Sequence, residues 1–196
     1  MEQEQVWIQQ ALRGDKEAFT RLVEAYQTPV YNLAYRMLGN VQEAEDAAQE
    51  AFIRAYTRLS TYDPKRKFAS WLLSITSHYC IDRLRRRRFN LVSLDELPPW
   101  RETPGKQLLP EERVIDHQRQ DAVQALLDTL PAHYRAPVIL RYWYDFSYQE
   151  IAEVMNLTES AVKSRLHRAR AMLAQAVSQS SDQSILTGAM QAVAGQ

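Results

Sequence analysis

The sequence predicts an all-α protein of two small helical domains joined by a flexible, proline-containing linker, the C-terminal one a helix-turn-helix. Three observations carry this. Glycine is scarce, with 5 in 196 residues. Apolar residues recur at spacings of three and four and do not alternate. Prolines and acidic residues collect in one central stretch, NLVSLDELPPWRETPGKQLLPEERVIDH, where Pro98, Pro99, Pro104, Gly105 and Pro110 interrupt any helix. The expected division is a first domain over 1–89, a linker over 90–117, a second domain over 118–177, and a disordered tail over 178–196 that lacks aromatic and basic residues.

Composition narrows the function classes. Lys+Arg and Asp+Glu each number 24, so nucleic-acid binding requires local segregation of charge. A single cysteine, Cys80 in an apolar segment, excludes an internal disulfide and a multi-cysteine metal cage, and fits a reducing compartment. The acidic start MEQEQVWIQQ is unlike a signal peptide, and no apolar run approaches a membrane span of ~20 residues. A cytoplasmic protein without membrane insertion, cofactor or metal is expected. The carboxylates lie on amphipathic surfaces or in the linker, and no His/Glu pair has ligand spacing, so catalysis is not expected.

Within the first domain, VQEAEDAAQEAFIRAYTRL reads as a helix with Ala44, Ala47, Ala48, Ala51, Phe52, Ala55 and Leu59 along one stripe. The other face carries Asp46, Gln49, Glu50, Ile53 and Thr57. An isoleucine framed by carboxylates suggests a protein interface; a scattered surface isoleucine is the plainer reading. Next come the loop STYDPKRKFAS and the helix WLLSITSHYCIDRLRRRRF. Tyr62, Lys65, Arg66, Lys67, Phe68 and Trp71 interleave rings with cations, as suits single-stranded or distorted DNA; a core position for Trp71, or for any one of these rings, is equally consistent. The run Arg85 to Arg88 fits a polyanion site and also complements a helix C-terminus.

In the second domain, HYRAPVILRYWYDF supplies a support helix. Ser147 and Glu150 spell a capping box, Asn156 and Leu157 a turn, and Thr158 the next cap. At 100° per residue, Val162, Leu166, Ala169 and Leu173 face inward. Ser160, Lys163, Ser164 and His167 stand opposite, with Arg168 adjoining. Short polar groups beside long cations on the first turns suit a recognition helix in the major groove. A solvated basic helix is the alternative for such a pattern alone. The preceding capped helix, the short turn and the small Ala152 at the crossing favour a helix-turn-helix.

Taken in order, DKEAFTRLVEAYQTPVYNLAYRMLGN, EAEDAAQEAFIRAY, FASWLLSITSHYCIDRLRRRR and LPAHYRAPVILRYWYDFSYQEIAEVMNLTESAVKSRLHRARAML resemble bacterial RNA polymerase sigma factors of the extracytoplasmic-function group. The resemblance covers about 11–89 and 121–173. It implies a non-catalytic factor that directs promoter-specific initiation. Asp46, Gln49, Glu50 and Ile53 would bind the clamp of the polymerase's largest subunit. The loop over 60–70 with Trp71, His78, Arg85 and Arg86 would open and hold the minus-10 element. Ser160, Lys163, Ser164, His167 and Arg168 would read the minus-35 element while the second domain touches the polymerase flap. An anti-sigma factor is a further implied partner. His78 stands where the family often has Asn, and Ser77 where a basic residue is frequent. The competing function is a regulator that binds a palindromic operator as a homodimer, which needs a self-complementary surface.

Overall fold

A computed structural model describes residues 2–93 and 111–179; expectations for 94–110 and for the tail beyond Gln179 lie outside the described residues. The described chain is helical: α1 (Glu2–Leu12), α2 (Lys16–Leu38), α3 (Val41–Thr57), a 3-10 turn (Leu59–Thr61), α4 (Phe68–Ser93), α5 (Glu111–Thr129), α6 (Ala132–Trp143), α7 (Tyr148–Met155) and α8 (Glu159–Gln179). Two of these run further than expected, since α4 ends and α5 begins inside the stretch 90–117 assigned to the linker. Charged residues such as Glu111, Glu112, Arg113 and Asp116 are compatible with helix, and the breakers lie before them.

Helix ends follow local chemistry. The Asp15 carboxylate accepts from the N–H groups of Glu17 (2.9 Å) and Ala18 (3.2 Å), capping α2. Gly39 ends α2 at φ 70°, and Asn40 then accepts from Glu43 N–H at 2.9 Å to start α3. A side chain at Gly39 would be strained by that φ, and its Cβ would lie 3.2 Å from the Asp128 carboxylate of the second domain.

The first domain packs α2, α3 and α4 together, with α1 against α2. Ala44, Ala47, Ala51 and Ala55 are fully buried, so small side chains let α3 approach its neighbours closely. In the second domain α5, α6 and α7 all rest on α8, and Val138, Ile139, Leu140, Ile151 and Leu166 form its core.

The two domains also touch one another. Arg135, only 6% exposed, donates to the Met37 carbonyl of α2 and to Asp128 (2.8 Å) and the carbonyls of Asp128 (3.1 Å) and Leu130 (3.2 Å). Tyr144 O–H donates to the Pro29 carbonyl, Gln124 donates to the Arg36 carbonyl at 3.2 Å, and the Arg36 guanidinium lies 5.0 Å from the Trp143 ring centroid. Lys67 and Glu150 pair at 2.6 Å across the same boundary.

Candidate nucleic-acid and polymerase interfaces

The α7–turn–α8 unit is built as its sequence suggests. Ser147 Oγ accepts from Glu150 N–H at 3.2 Å, and Glu150 accepts from Ser147 N–H at 2.8 Å. Asn156 takes the left-handed conformation at φ 52°, and Leu157 N–H closes the turn onto the Ala152 carbonyl at 2.8 Å. Thr158 Oγ1 then accepts from Ala161 N–H at 3.2 Å. On α8, Val162, Leu166, Ala169 and Leu173 are buried, whereas Ser160, Lys163, Ser164, His167 and Arg168 are exposed. The Lys163 ammonium lies 5.9 Å from the Tyr148 ring centroid and the Arg141 guanidinium 5.7 Å from it, so one ring steadies two cations.

On α3 the face opposite the alanines is open. Ile53 is 58% exposed, with Asp46 and Gln49 exposed and Glu50 half-buried. A groove of about 420 Å³ beside it is lined by Val23, Tyr31, Ala48, Gln49 and Phe52 among others. Ala48 and Phe52, assigned to the core stripe, are only half-buried and form its floor. The carboxylates are not isolated: Glu50 pairs with Arg54 at 2.7 Å, and Asp46 lies 3.8 Å from Arg83 of α4. Arg87 joins Glu43 at 2.6 Å. Sequence reasoning missed Arg54 and Arg83, and read Arg87 only as part of the Arg85 to Arg88 run. Arg54 follows Glu50 by four residues, a signal visible on any helical wheel, but the α3–α4 pairs depend on tertiary packing.

The loop and the start of α4 require a correction. Tyr62 and Phe68, expected as rings free to stack on bases, are 8% and 2% exposed. They pack edge-on at 5.5 Å and each meets the Trp71 ring, at 5.3 and 5.6 Å, while Tyr26 closes on Phe68 at 5.4 Å. Tyr62 O–H donates to the Arg66 carbonyl, so its burial leaves no unmet donor. Burial pushes the Tyr62 phenol above its ordinary value, with Glu4 and Asp63 adding to the effect. Lys65, Arg66 and Lys67 remain exposed around this aromatic core, with Lys67 held by Glu150.

Trp71 is half-buried and forms part of the wall of a cavity of about 260 Å³ between α3 and α4, together with Arg54, Arg58, Thr61, Ser74, Ile75 and His78. The structure thus brings Trp71 and His78 together with cations the sequence had not singled out. Arg85 and Arg86 are exposed further along α4, and Arg85 lies 3.6 Å from Asp82. Ser77 is fully buried and donates to the Leu73 carbonyl at 2.7 Å, so it presents nothing to a ligand. Cys80 is buried as well, its thiol pushed up to about 12 by desolvation, which keeps it protonated and inert.

Comparison with known proteins places these features. Residues 22–90 match Sigma-70 region 2, and residues 120–173 match Sigma-70, region 4. The ECF RNA polymerase sigma factor SigW of Bacillus subtilis is 38% identical over 172 residues, covering 85% of this chain and 92% of that protein. The chain is an extracytoplasmic-function sigma factor.

Two solved structures share the fold of this sigma factor. CnrH, in complex with the cytosolic domain of CnrY, aligns with a TM-score of 0.65 at 24% identity, covering 91% of this chain and 99% of that one. The Bartonella quintana sigma factor RpoE, in complex with the anti-sigma factor NepR, aligns with a TM-score of 0.63 at 19% identity, covering 82% and 97%. Membership of the family means a promoter-directing factor of RNA polymerase, and the homodimeric regulator is not favoured. Among the described residues, no helix is long and apolar enough to cross a membrane.

Proposed function

We propose that this sigma factor divides its work among three faces. The exposed side of α8, with Ser160, Lys163, Ser164, His167 and Arg168, reads the minus-35 element in the major groove. The Asp46, Gln49, Glu50 and Ile53 face of α3 docks on the polymerase clamp. The cationic loop Lys65, Arg66 and Lys67, with Trp71, His78, Arg85 and Arg86, holds the opened minus-10 element. The observation that carries the reading is the opposition on α8: five hydrogen-bonding or cationic side chains face solvent while Val162, Leu166, Ala169 and Leu173 are buried.

As implied by this reading, the protein works in the cytoplasm without catalysing a reaction, and its second domain also touches the polymerase flap. An anti-sigma factor is the expected inhibitor, because both structural neighbours named above were captured with such partners or a partner's cytosolic domain. Reconstitution with core polymerase on a promoter template tests the division. Lys163→Ala is expected to reduce transcription that depends on the minus-35 element about tenfold, the cost of one good base contact, and to leave core binding intact. Asp46→Ala with Ile53→Ala is expected to weaken core binding in the absence of DNA. Equal effects of the two variants on DNA-free core binding would refute the division.

A further inference from the structure

Arg54 stands on α3 where the proposed polymerase face meets the proposed strand-holding face. Its Nε donates to Glu50, one helical turn back, at 2.7 Å, and its guanidinium lies 4.9 Å from the Tyr79 ring centroid of α4. It lines two cavities along α3 and α4: the one with Trp71 and His78, and another of about 300 Å³ with Arg83, Arg86 and Arg87. The pair is open to solvent, since the Arg54 and Glu50 side chains are 38% and 36% exposed. Among the described residues Glu50 is the only carboxylate that Arg54 pairs with. Arg83 differs, because it sits between Glu43 at 3.7 Å and Asp46 at 3.8 Å. Losing one acid leaves Arg83 held by the other, whereas losing Glu50 leaves Arg54 without a counter-charge.

The polymerase and the DNA strand therefore compete through one ion pair. An exposed Glu–Arg pair is weak, so a basic side chain docking on the Asp46, Glu50 and Ile53 face can displace Arg54 from Glu50. The displaced guanidinium keeps its charge, and its planar fork matches the oxygens of a phosphate. The cavity it shares with Trp71 and His78 is where the opened strand is proposed to lie, which makes a strand phosphate its next anion.

We propose that Arg54 is a further strand-binding residue, held back by Glu50 in the free factor and transferred to a phosphate of the opened minus-10 strand when the polymerase takes Glu50. The inference rests on the proposed clamp and minus-10 roles of these two faces. Linkage makes the effect reciprocal: whatever polymerase binding adds to strand affinity, strand binding adds to polymerase affinity. Breaking an exposed pair of this kind corresponds to a change of about twofold to fivefold in affinity.

The test is a double-mutant cycle on the full-length factor without polymerase. Fluorescence anisotropy follows a labelled single-stranded oligonucleotide, carrying the minus-10 element of the template used for reconstitution, over a range of salt concentrations. Glu50→Gln is expected to bind this strand about threefold tighter than wild type. Its log–log salt slope is expected to steepen by about 0.7, the mark of one more phosphate contact on a single strand. Both changes are expected to vanish when Arg54→Ala is also present. Glu45→Gln removes the same charge from an exposed position of the same helix and is expected to produce neither. In a second arm, core polymerase is titrated without DNA. Arg54→Ala frees Glu50 and is expected to bind core about threefold tighter; unchanged or weaker core binding, as a merely structural arginine gives, overturns the exchange. If Glu50→Gln tightens strand binding equally with and without Arg54, or not at all, while Arg86→Ala weakens it, the exchange is overturned and the minus-10 role stands. If Arg86→Ala and Arg54→Ala both leave strand affinity unchanged in the Glu50→Gln background, the minus-10 role falls and the exchange with it.

Discussion

At the scale of residues, the useful contrast is between His167 and Phe68. Both sit in stretches mixing aromatic or polar groups with cations. The position of His167 was legible because a helix imposes a known rotation per residue, and four apolar positions fixed which side of α8 is buried. Phe68 lies at a loop-to-helix junction, where no such period applies. There the spacing of rings and cations is the same whether the rings stack on each other or on a base, and only the packing with Tyr26, Tyr62 and Trp71 decides. Arg135 was illegible for a related reason. Its acceptors include the Met37 carbonyl, 98 positions away. Burial lowers the guanidinium from its ordinary value and Asp128 opposes the shift, so the group stays charged in a nearly closed site. Arg135→Ala would strand three carbonyls and a carboxylate. The expected cost is about 3 kcal/mol, the lower end for breaking a buried pair, because the Asp128 side chain is 40% exposed. It would be read as a lower urea midpoint with an unchanged slope, and Arg135→Lys should recover part of it.

At the scale of elements, α7 shows how a local rule acquires a tertiary use. The capping box of Ser147 and Glu150 was readable from four residues of sequence. What was not readable is that the same carboxylate also pairs with Lys67 of the first domain. The Glu150 carboxyl is held below its ordinary value, first by the Lys67 hydrogen bond and then by the Ser147 N–H. A carboxyl depressed in the fold contributes stability above its unfolded value, near 4.5, and loses that contribution as pH falls through the lower folded value. Glu150→Gln keeps an oxygen for the Ser147 N–H and removes the charge. Its Tm is expected to lie below that of wild type at neutral pH, with the gap narrowing as acid protonates the wild-type carboxyl. A gap that stays constant from about pH 6 to pH 3 would show that the charge contributes nothing.

At the scale of the whole molecule, the packing of the two domains sets a geometric problem. Two elements named for positions minus-10 and minus-35 lie about 25 base pairs apart, or ~85 Å at 3.4 Å per base pair. A compact chain of this length measures about 42 Å across. On the proposed assignment of α8 to the minus-35 element and α4 to the minus-10 element, the described arrangement cannot place both helices at once, and we propose that the domains separate on promoter DNA. The chain is long enough to allow this. Ser93 and Glu111 are separated by 17 residues, 94 to 110, which fully extended reach ~60 Å. What resists separation is the packing of α6 and α7 on α4 together with the contacts from Arg135, Tyr144 and Trp143 to α2; the Lys67–Glu150 pair is solvent-exposed on the Lys67 side, and exposed pairs contribute little. Trp143→Ala with Tyr144→Phe removes the cation–π contact and the hydrogen bond to Pro29. In small-angle scattering the radius of gyration of this variant is expected to rise above that of wild type, from ~16 Å for the compact chain, with helix content unchanged. Lys67→Ala is expected to leave it where it was. Opening by Lys67→Ala alone would show that the exposed pair, and not the α2–α6 contacts, holds the two domains together.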